Sequence, residues 1–231
     1  MNKNISLHTF KQKTDLQEKL CKKITSIINE TLKQEEYAVM ALSGGSTPKP
    51  LFERLSKVDL DWSKVILTLV DERWVENTNK DSNEKLIKDY LMQNQASKAS
   101  FIPLKLEYDT PFEAISECSK QFKDIKQSFD IVILGMGEDA HTASFFPKDR
   151  NLKNALSTKE ICAPTIPSDA PHQRMTLSLD KLLKAKNIFL HIEGEKKYNV
   201  YNNALKDGSI EDMPIRSFLR NEKNLEVYYA K

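Results

Sequence analysis

Cysteine is scarce in the 231 residues: only Cys21, Cys118 and Cys162 occur, and none falls in a CxxC pair. An odd, scattered set excludes a disulfide framework and a thiolate zinc site, and it points to reduced thiols. Long apolar runs are missing too. Nothing approaches the roughly 20 residues that a membrane helix requires, and the opening stretch, MNKNISLHTFKQK, holds no apolar core of signal-peptide length. The expected compartment is therefore the cytoplasm, with no membrane partner. A strong charge of one sign is also absent: the net charge is +2, which argues against nucleic acid as a partner. The four histidines, His8, His141, His172 and His191, show neither HxxxH nor HExxH spacing, so no metal site is expected. There is no GxSxG elbow to carry a serine nucleophile. There is also no Walker A or GxGxxG loop to carry a nucleotide.

What remains is an ordinary globular composition, 39% hydrophobic and 29% charged, in a chain long enough to bury a continuous core. Leu16, Leu20, Ile24, Ile27 and Ile28 recur at helical spacing and predict a helix over about 14–33. The apolar runs 37–42, 65–70 and 130–134 predict buried strands, with further strands over about 187–192 and 225–230. Thr47 is placed to cap a helix that has Pro48 at its first position. Ser82 is placed to cap a helix through Leu86, Ile87 and Leu91. Phe112, Ile115, Cys118 and Phe122 predict another helix, and a last one is expected over about 195–206. The stretch 157–172 reads as a long loop. Strands alternating with helices imply a single α/β domain over 1–231. Its expected form is a three-layer α/β/α sandwich around a mostly parallel, twisted, Rossmann-like sheet.

In such sheets ligands bind beyond the carboxyl ends of the strands, and three polar clusters follow predicted strands. Ser43, Gly44, Gly45, Ser46 and Thr47 form a Gly-bearing turn before a helix, a place where backbone N–H groups and hydroxyls suit a phosphate. A tight turn without ligand is the alternative. Asp71, Glu72 and Arg73 form either a solvated turn or a site in which Arg73 forks onto a phosphate or carboxylate. Asp139 and His141, in Gly135-Met136-Gly137-Glu138-Asp139-Ala140-His141-Thr142-Ala143-Ser144, suit a general base beside an orienting carboxylate. Downstream stand Arg174 and the adjacent pair Lys196 and Lys197, of which only one should face inward on a helix.

In this order the clusters resemble the 6-phosphogluconolactonase family. The matching stretches are Leu42-Ser-Gly-Gly-Ser-Thr-Pro48, Asp71-Glu-Arg-Trp-Val75 with Ser82-Asn83, Gly135 through Pro147, Arg174-Met-Thr-Leu177 and Gly194-Glu-Lys-Lys197. Ala140 stands where that family usually has Gly; if the position needs φ > 0, alanine adds strain. The related glucosamine-6-phosphate deaminases typically have Asp-Glu-Tyr in the second cluster and an Asn-Glu-Pro-containing stretch after the histidine. Thr142-Ala143-Ser144-Phe145-Phe146-Pro147 lacks that glutamate.

The resemblance implies hydrolysis of 6-phospho-D-glucono-1,5-lactone to 6-phosphogluconate, in the oxidative pentose phosphate pathway and without a cofactor. It implies His141 as the base that activates water, Asp139 as its support, and Ser43 to Thr47, Arg174 and Lys197 around the phosphate. Asp71, Glu72 and Arg73 are expected at the same site. The expected partner is the sugar phosphate alone, bound by a monomer or weak homo-oligomer. A deaminase-type enzyme and a noncatalytic sugar-phosphate sensor are the competing readings. The short stretch before Tyr37 leaves no room for the helix-turn-helix that such sensors usually carry.

Overall fold

Ala38-Val39-Met40-Ala41-Leu42 is apolar without alternation, a pattern suited to a strand covered on both faces. In the computed structural model, which describes residues 5–222 and 225–231, every one of these side chains is buried. The described elements are, in order, β1 (Ile5–Phe10), α1 (Lys13–Gln34), β2 (Ala38–Leu42), α2 (Lys49–Leu55), β3 (Val65–Leu69), β4 (Asp71–Arg73), α3 (Asn83–Tyr90), β5 (Ser100–Ile102) and α4 (Ile115–Lys120). They continue with β6 (Ile131–Leu134), α5 (Leu152–Ser157), β7 (Cys162–Thr165), β8 (Arg174–Leu177), α6 (Leu179–Leu183), β9 (Asn187–Glu193), α7 (Glu195–Ala204), α8 (Arg216–Leu219) and β10 (Leu225–Ala230).

Seven strands form one sheet in the order β1-β10-β9-β6-β2-β3-β5, and each neighbouring pair is parallel. The expected α/β class therefore holds, with helices covering the faces. The centre of the sheet is the driest part: β2 and β6 are buried throughout. Leu16, Leu20, Ile24 and Ile28 of α1 turn their predicted stripe into the same core.

Several elements differ from the sequence reading. Asp71-Glu72-Arg73 is a strand, β4, not a turn; with β8 and β7 it makes a separate antiparallel sheet in the order β4-β8-β7. The stretch 157–172 contains β7 and is not one long loop. Neither polar β4 nor a β7 that includes Pro164 carries an apolar signal, and their pairing is long-range. β1 also escaped the reading, because it lies at the sheet edge with only part of its side chains covered. Phe112 lies outside the shortened α4 and is 41% exposed. Cys118 and Cys162, far apart in sequence, meet in the core as free thiols, and burial pushes the Cys162 thiol well up.

The N-terminal edge of the sheet is fastened by one buried carboxylate. Asp130, fully buried, accepts from Val39 N (2.7 Å) and pairs with Lys126 Nζ (2.5 Å) and Lys186 Nζ (3.0 Å). It thereby ties the start of β6 to β2. Asp130→Ala strands that N–H and removes the buried acid shared by the two lysines, which keep Glu35 as their remaining partner. The expected loss is about 2–4 kcal/mol of folding stability, read as a lower midpoint in urea unfolding with an unchanged slope.

Candidate active site

Parallel register brings the ends of β2, β3 and β6 to one edge of the sheet. Ser43 N donates to Ile133 O (3.0 Å) and Val70 N to Leu42 O (2.9 Å), so the three loops leave the sheet side by side. Between them lies a cleft of about 230 Å³. Ser43, Gly44, Gly45, Ser46, Thr47, Asp71, Arg73, His141, Arg174 and Lys197 all line it. The structure thus gathers most of the residues expected at a site. Glu72 and Asp139 do not line the cleft.

Glu72 is a brace. Its buried carboxylate accepts from Arg73 N, Asn83 N and Glu84 N, each at 2.7 Å, and from Ser82 Oγ at 3.1 Å. Two of these donors open α3, where an anion satisfies orphan N–H groups. Burial pushes the Glu72 carboxyl up to about 7, against the pull of all four donors. Ser82 caps α3 as expected, accepting from Lys85 N (3.1 Å).

The brace sets Asn83, which sequence reading did not single out as a site residue. Asn83 Nδ2 donates to Asp71 O (2.8 Å), while Asn83 Oδ1 is buried without a partner among the described residues. It lies hard against the first loop, since a Cβ on Gly44 would fall 1.8 Å from Asn83 Oδ1. Thr47 does not cap α2. That helix starts at Lys49, after Pro48, with no side-chain cap. The Thr47 hydroxyl instead faces Lys197 Nζ across the cleft at 3.5 Å. Burial lowers the pKa of the Lys197 ammonium, so an anion close by would favour its charged form. Lys196 points to solvent, as the helical spacing requires.

Arg174, on β8, is 6% exposed; its nearest acid is Asp71, with Arg174 Nη1 to Asp71 Oδ2 at 3.6 Å, and its Nε has no partner. Burial opposes its charge and Asp71 supports it. Asp71 is already engaged by Ser144 Oγ (2.6 Å), so the guanidinium is under-compensated and suited to an incoming anion. Arg73 lines the cleft but donates through Nη1 to Asp81 O (2.6 Å).

The third loop holds His141. Its Nδ1 meets Asp139 Oδ1 at 2.6 Å, its own N–H donates to the same oxygen (3.1 Å), and its ring stacks on Phe146 with centroids 4.1 Å apart. At the half-open rim, partial burial opposes the charge of Asp139. The hydrogen bond and charge of His141 outweigh it and hold the carboxyl below its ordinary range. The carboxylate therefore stays ionised and keeps the Nδ1 proton, which leaves Nε2 as the ring's acceptor. Backbone bonds tighten the loop: Gly137 N donates to His141 O (2.9 Å) and Ile215 N to Ala140 O (3.0 Å). Ala140 sits at φ 66° and Ala143 at φ 47°. Position 140 thus has the left-handed backbone suspected from the sequence, and alanine holds it at a cost of about 1–2 kcal/mol.

A family model described as glucosamine-6-phosphate isomerases/6-phosphogluconolactonase matches residues 11–227. The chain belongs to this family. The 6-phosphogluconolactonase of Helicobacter pylori strain J99 is 38% identical over 229 residues, covering 97% of this chain and 98% of the relative. That of Rhizobium meliloti strain 1021 is 37% identical over 234 residues, covering 97% and 98%. The crystal structure of a 6-phosphogluconolactonase from Shewanella baltica matches with a TM-score of 0.97 at 39% identity, with both chains fully covered. Within the family, then, the chain is an enzyme of the 6-phosphogluconolactonase type. No helix among the described residues is long and apolar enough to cross a membrane.

Gly137 is where the family loop is tightest. A Cβ there would fall 2.2 Å from His141 Nδ1 and 2.5 Å from Asp139 Oδ1. Gly137→Ala is therefore expected to split the pair and lower turnover by about 10²-fold, while affinity for inorganic phosphate stays within about three-fold of the parent. Steady-state kinetics with a phosphate-inhibition series on both proteins gives the two numbers.

Proposed function

We propose that this enzyme hydrolyses 6-phospho-D-glucono-1,5-lactone to 6-phospho-D-gluconate, with His141 activating the attacking water. The observation that carries the reading is the placement of a carboxylate-held imidazole and a phosphate-suited loop on one cleft. Asp139 fixes His141 at one wall, and Ser43 to Thr47 with Lys197 form another. The names of the relatives supply the substrate.

The reaction is acyl transfer to water. His141 Nε2 takes a proton as the water oxygen bonds to the lactone carbonyl carbon, whose oxygen becomes an oxyanion. Collapse breaks the bond to the ring oxygen, which leaves with the proton held by the imidazolium. The product is an open-chain acid that loses its own proton to solvent. Gly137 N–H is committed to His141 O, so Gly44 and Gly45 are the better backbone candidates for oxyanion donors. Arg174 and Lys197 bind the phosphate remote from the reacting carbon, where their energy serves orientation. Arg73 and Asp71 shape the wall between them.

The deaminase reading is disfavoured by the loop after His141. Among the described residues, its polar contact to the opposite cluster is Ser144 Oγ to Asp71 Oδ2, and no carboxylate stands between Thr142 and Pro147.

Freshly generated lactone, assayed with the buffer rate subtracted, should be opened far faster than in buffer, whereas glucosamine 6-phosphate should release no ammonia. The reverse pattern would sink the proposal. His141→Ala is expected to lower kcat by about 10²–10⁴-fold while 6-phosphogluconate still binds. Near-parental kcat in His141→Ala would move the base elsewhere. Arg174→Ala and Lys197→Ala should instead raise KM, each by about 10- to 100-fold, with smaller effects on kcat. Unchanged KM in both would remove them from the phosphate subsite.

A further inference from the structure

We propose that His191, held by Glu193, is a further binding residue at the phosphate end of the cleft, taking up a proton when a phosphate dianion binds. The proposal rests on the reading that the cleft takes a sugar phosphate. His191 belongs to β9, whose Leu190 pairs with Leu134 at the end of β6. The next residue of each strand, His191 and Gly135, therefore stands at the level where the polar loops begin. Gly135 is in turn close to Ser43, since a Cβ on it would lie 3.6 Å from Ser43 Oγ. His191 lines the same cleft as Ser43 to Thr47 and Lys197, yet it is only 2% exposed.

The two ring nitrogens differ. His191 Nε2 lies 3.2 Å from Glu193 Oε1, while His191 Nδ1 is buried with no hydrogen-bond partner among the described residues. A carboxylate only accepts, so Nε2 carries a proton. In the neutral ring Nδ1 is then a bare acceptor, buried without a donor, which is costly. Protonation from solvent turns Nδ1 into a donor, and a phosphate dianion in the cleft supplies the acceptor it lacks. The step is a proton gain by the imidazole and nothing else.

Charged and titratable groups face the ring from several elements. Burial opposes the charge of Glu193, but His191 and Lys13, at 3.2 Å, hold its carboxyl below the ordinary range. Gln17 of α1 faces the same carboxylate at 3.5 Å. On β10 the register partner is Tyr228, whose phenol is pushed up by burial and stays neutral. Tyr228 donates to Glu226 (3.2 Å), which pairs with His8 (3.1 Å) and Lys23 (3.3 Å). From the cleft side Lys197 opposes a second cation until an anion lies between them.

Calorimetric titration at about pH 7.5, where a phosphate monoester is already a dianion, counts protons taken up when run in buffers of different ionisation enthalpy. Inorganic phosphate and 6-phosphogluconate are the two probes, and wild type is compared with His191→Asn and His191→Leu. Asparagine keeps an amide donor near the place of Nδ1 but cannot titrate. Wild type should take up more protons than His191→Asn by roughly several tenths per site; Lys197 is present in both, so any contribution it makes cancels. His191→Leu should raise KM for the lactone about 10-fold or more with kcat within about three-fold, and His191→Asn should recover part of the loss. Equal proton uptake in wild type and His191→Asn, or a KM in His191→Leu within two-fold of the parent, would overturn the role. If wild type binds inorganic phosphate but not 6-phosphogluconate, the substrate assignment fails, and the proton count with inorganic phosphate still decides on His191.

Discussion

Backbone hydrogen bonds along β9, β6, β2 and β3 hold the ends of four parallel strands level, and the chemistry of the cleft depends on that alignment. Each of these strands ends in polar residues that face the same small volume: His191 on β9, the His141 loop after β6, Ser43 to Thr47 after β2, and Asp71 just past β3. A shift of one residue between β6 and β2 would turn every side chain on the shifted strand to the opposite face. Asp130, at the other end of the same pair, fastens the register through Val39. A buried charge at the bottom of the sheet is thus mechanically connected to the positions of uncharged N–H groups at the top.

Above the sheet, acids do different work according to their partners. Glu72 spends its lone pairs on backbone donors at the start of α3 and on Ser82, and this rigid cap sets Asn83 against Gly44. Asp71 is shared between Ser144 and Arg174, so the guanidinium keeps part of its demand for an anion. Asp139 and Glu193 each hold one nitrogen of a histidine, one at the rim and one inside. The same pairing of residue types therefore suits proton transfer where the ring meets the open cleft, and suits anion binding where the ring is enclosed.

Much of this was legible in the sequence because the strongest signals are local. Apolar runs announced β2, β3 and β6, and the loops that follow them carry Ser43 to Thr47, Asp71 and His141. The helical spacing also separated Lys197 from Lys196. The second sheet was illegible for a physical reason: β4 is polar throughout and is held by long-range pairing with β8, Arg73 opposite Arg174, which leaves no periodicity to read. Glu72 was taken for a ligand-binding residue because its partners, the N–H groups of Asn83 and Glu84, belong to the backbone and have no letter in the sequence. Asn83 and His191 were passed over because their significance is geometric. One is a buried amide against a glycine, the other a ring with one nitrogen occupied and one free.

The approach of Asn83 Oδ1 to Gly44 has a consequence for how this surface can vary. No side chain fits at position 44 while an amide stands at position 83, and a smaller residue at 83 would release Asp71 O and leave a gap against the loop. The two positions, nearly 40 residues apart, therefore form one mutational unit. Substitutions there are expected to be strongly epistatic, so that a viable alternative pair is reached only through intermediates less fit than either end.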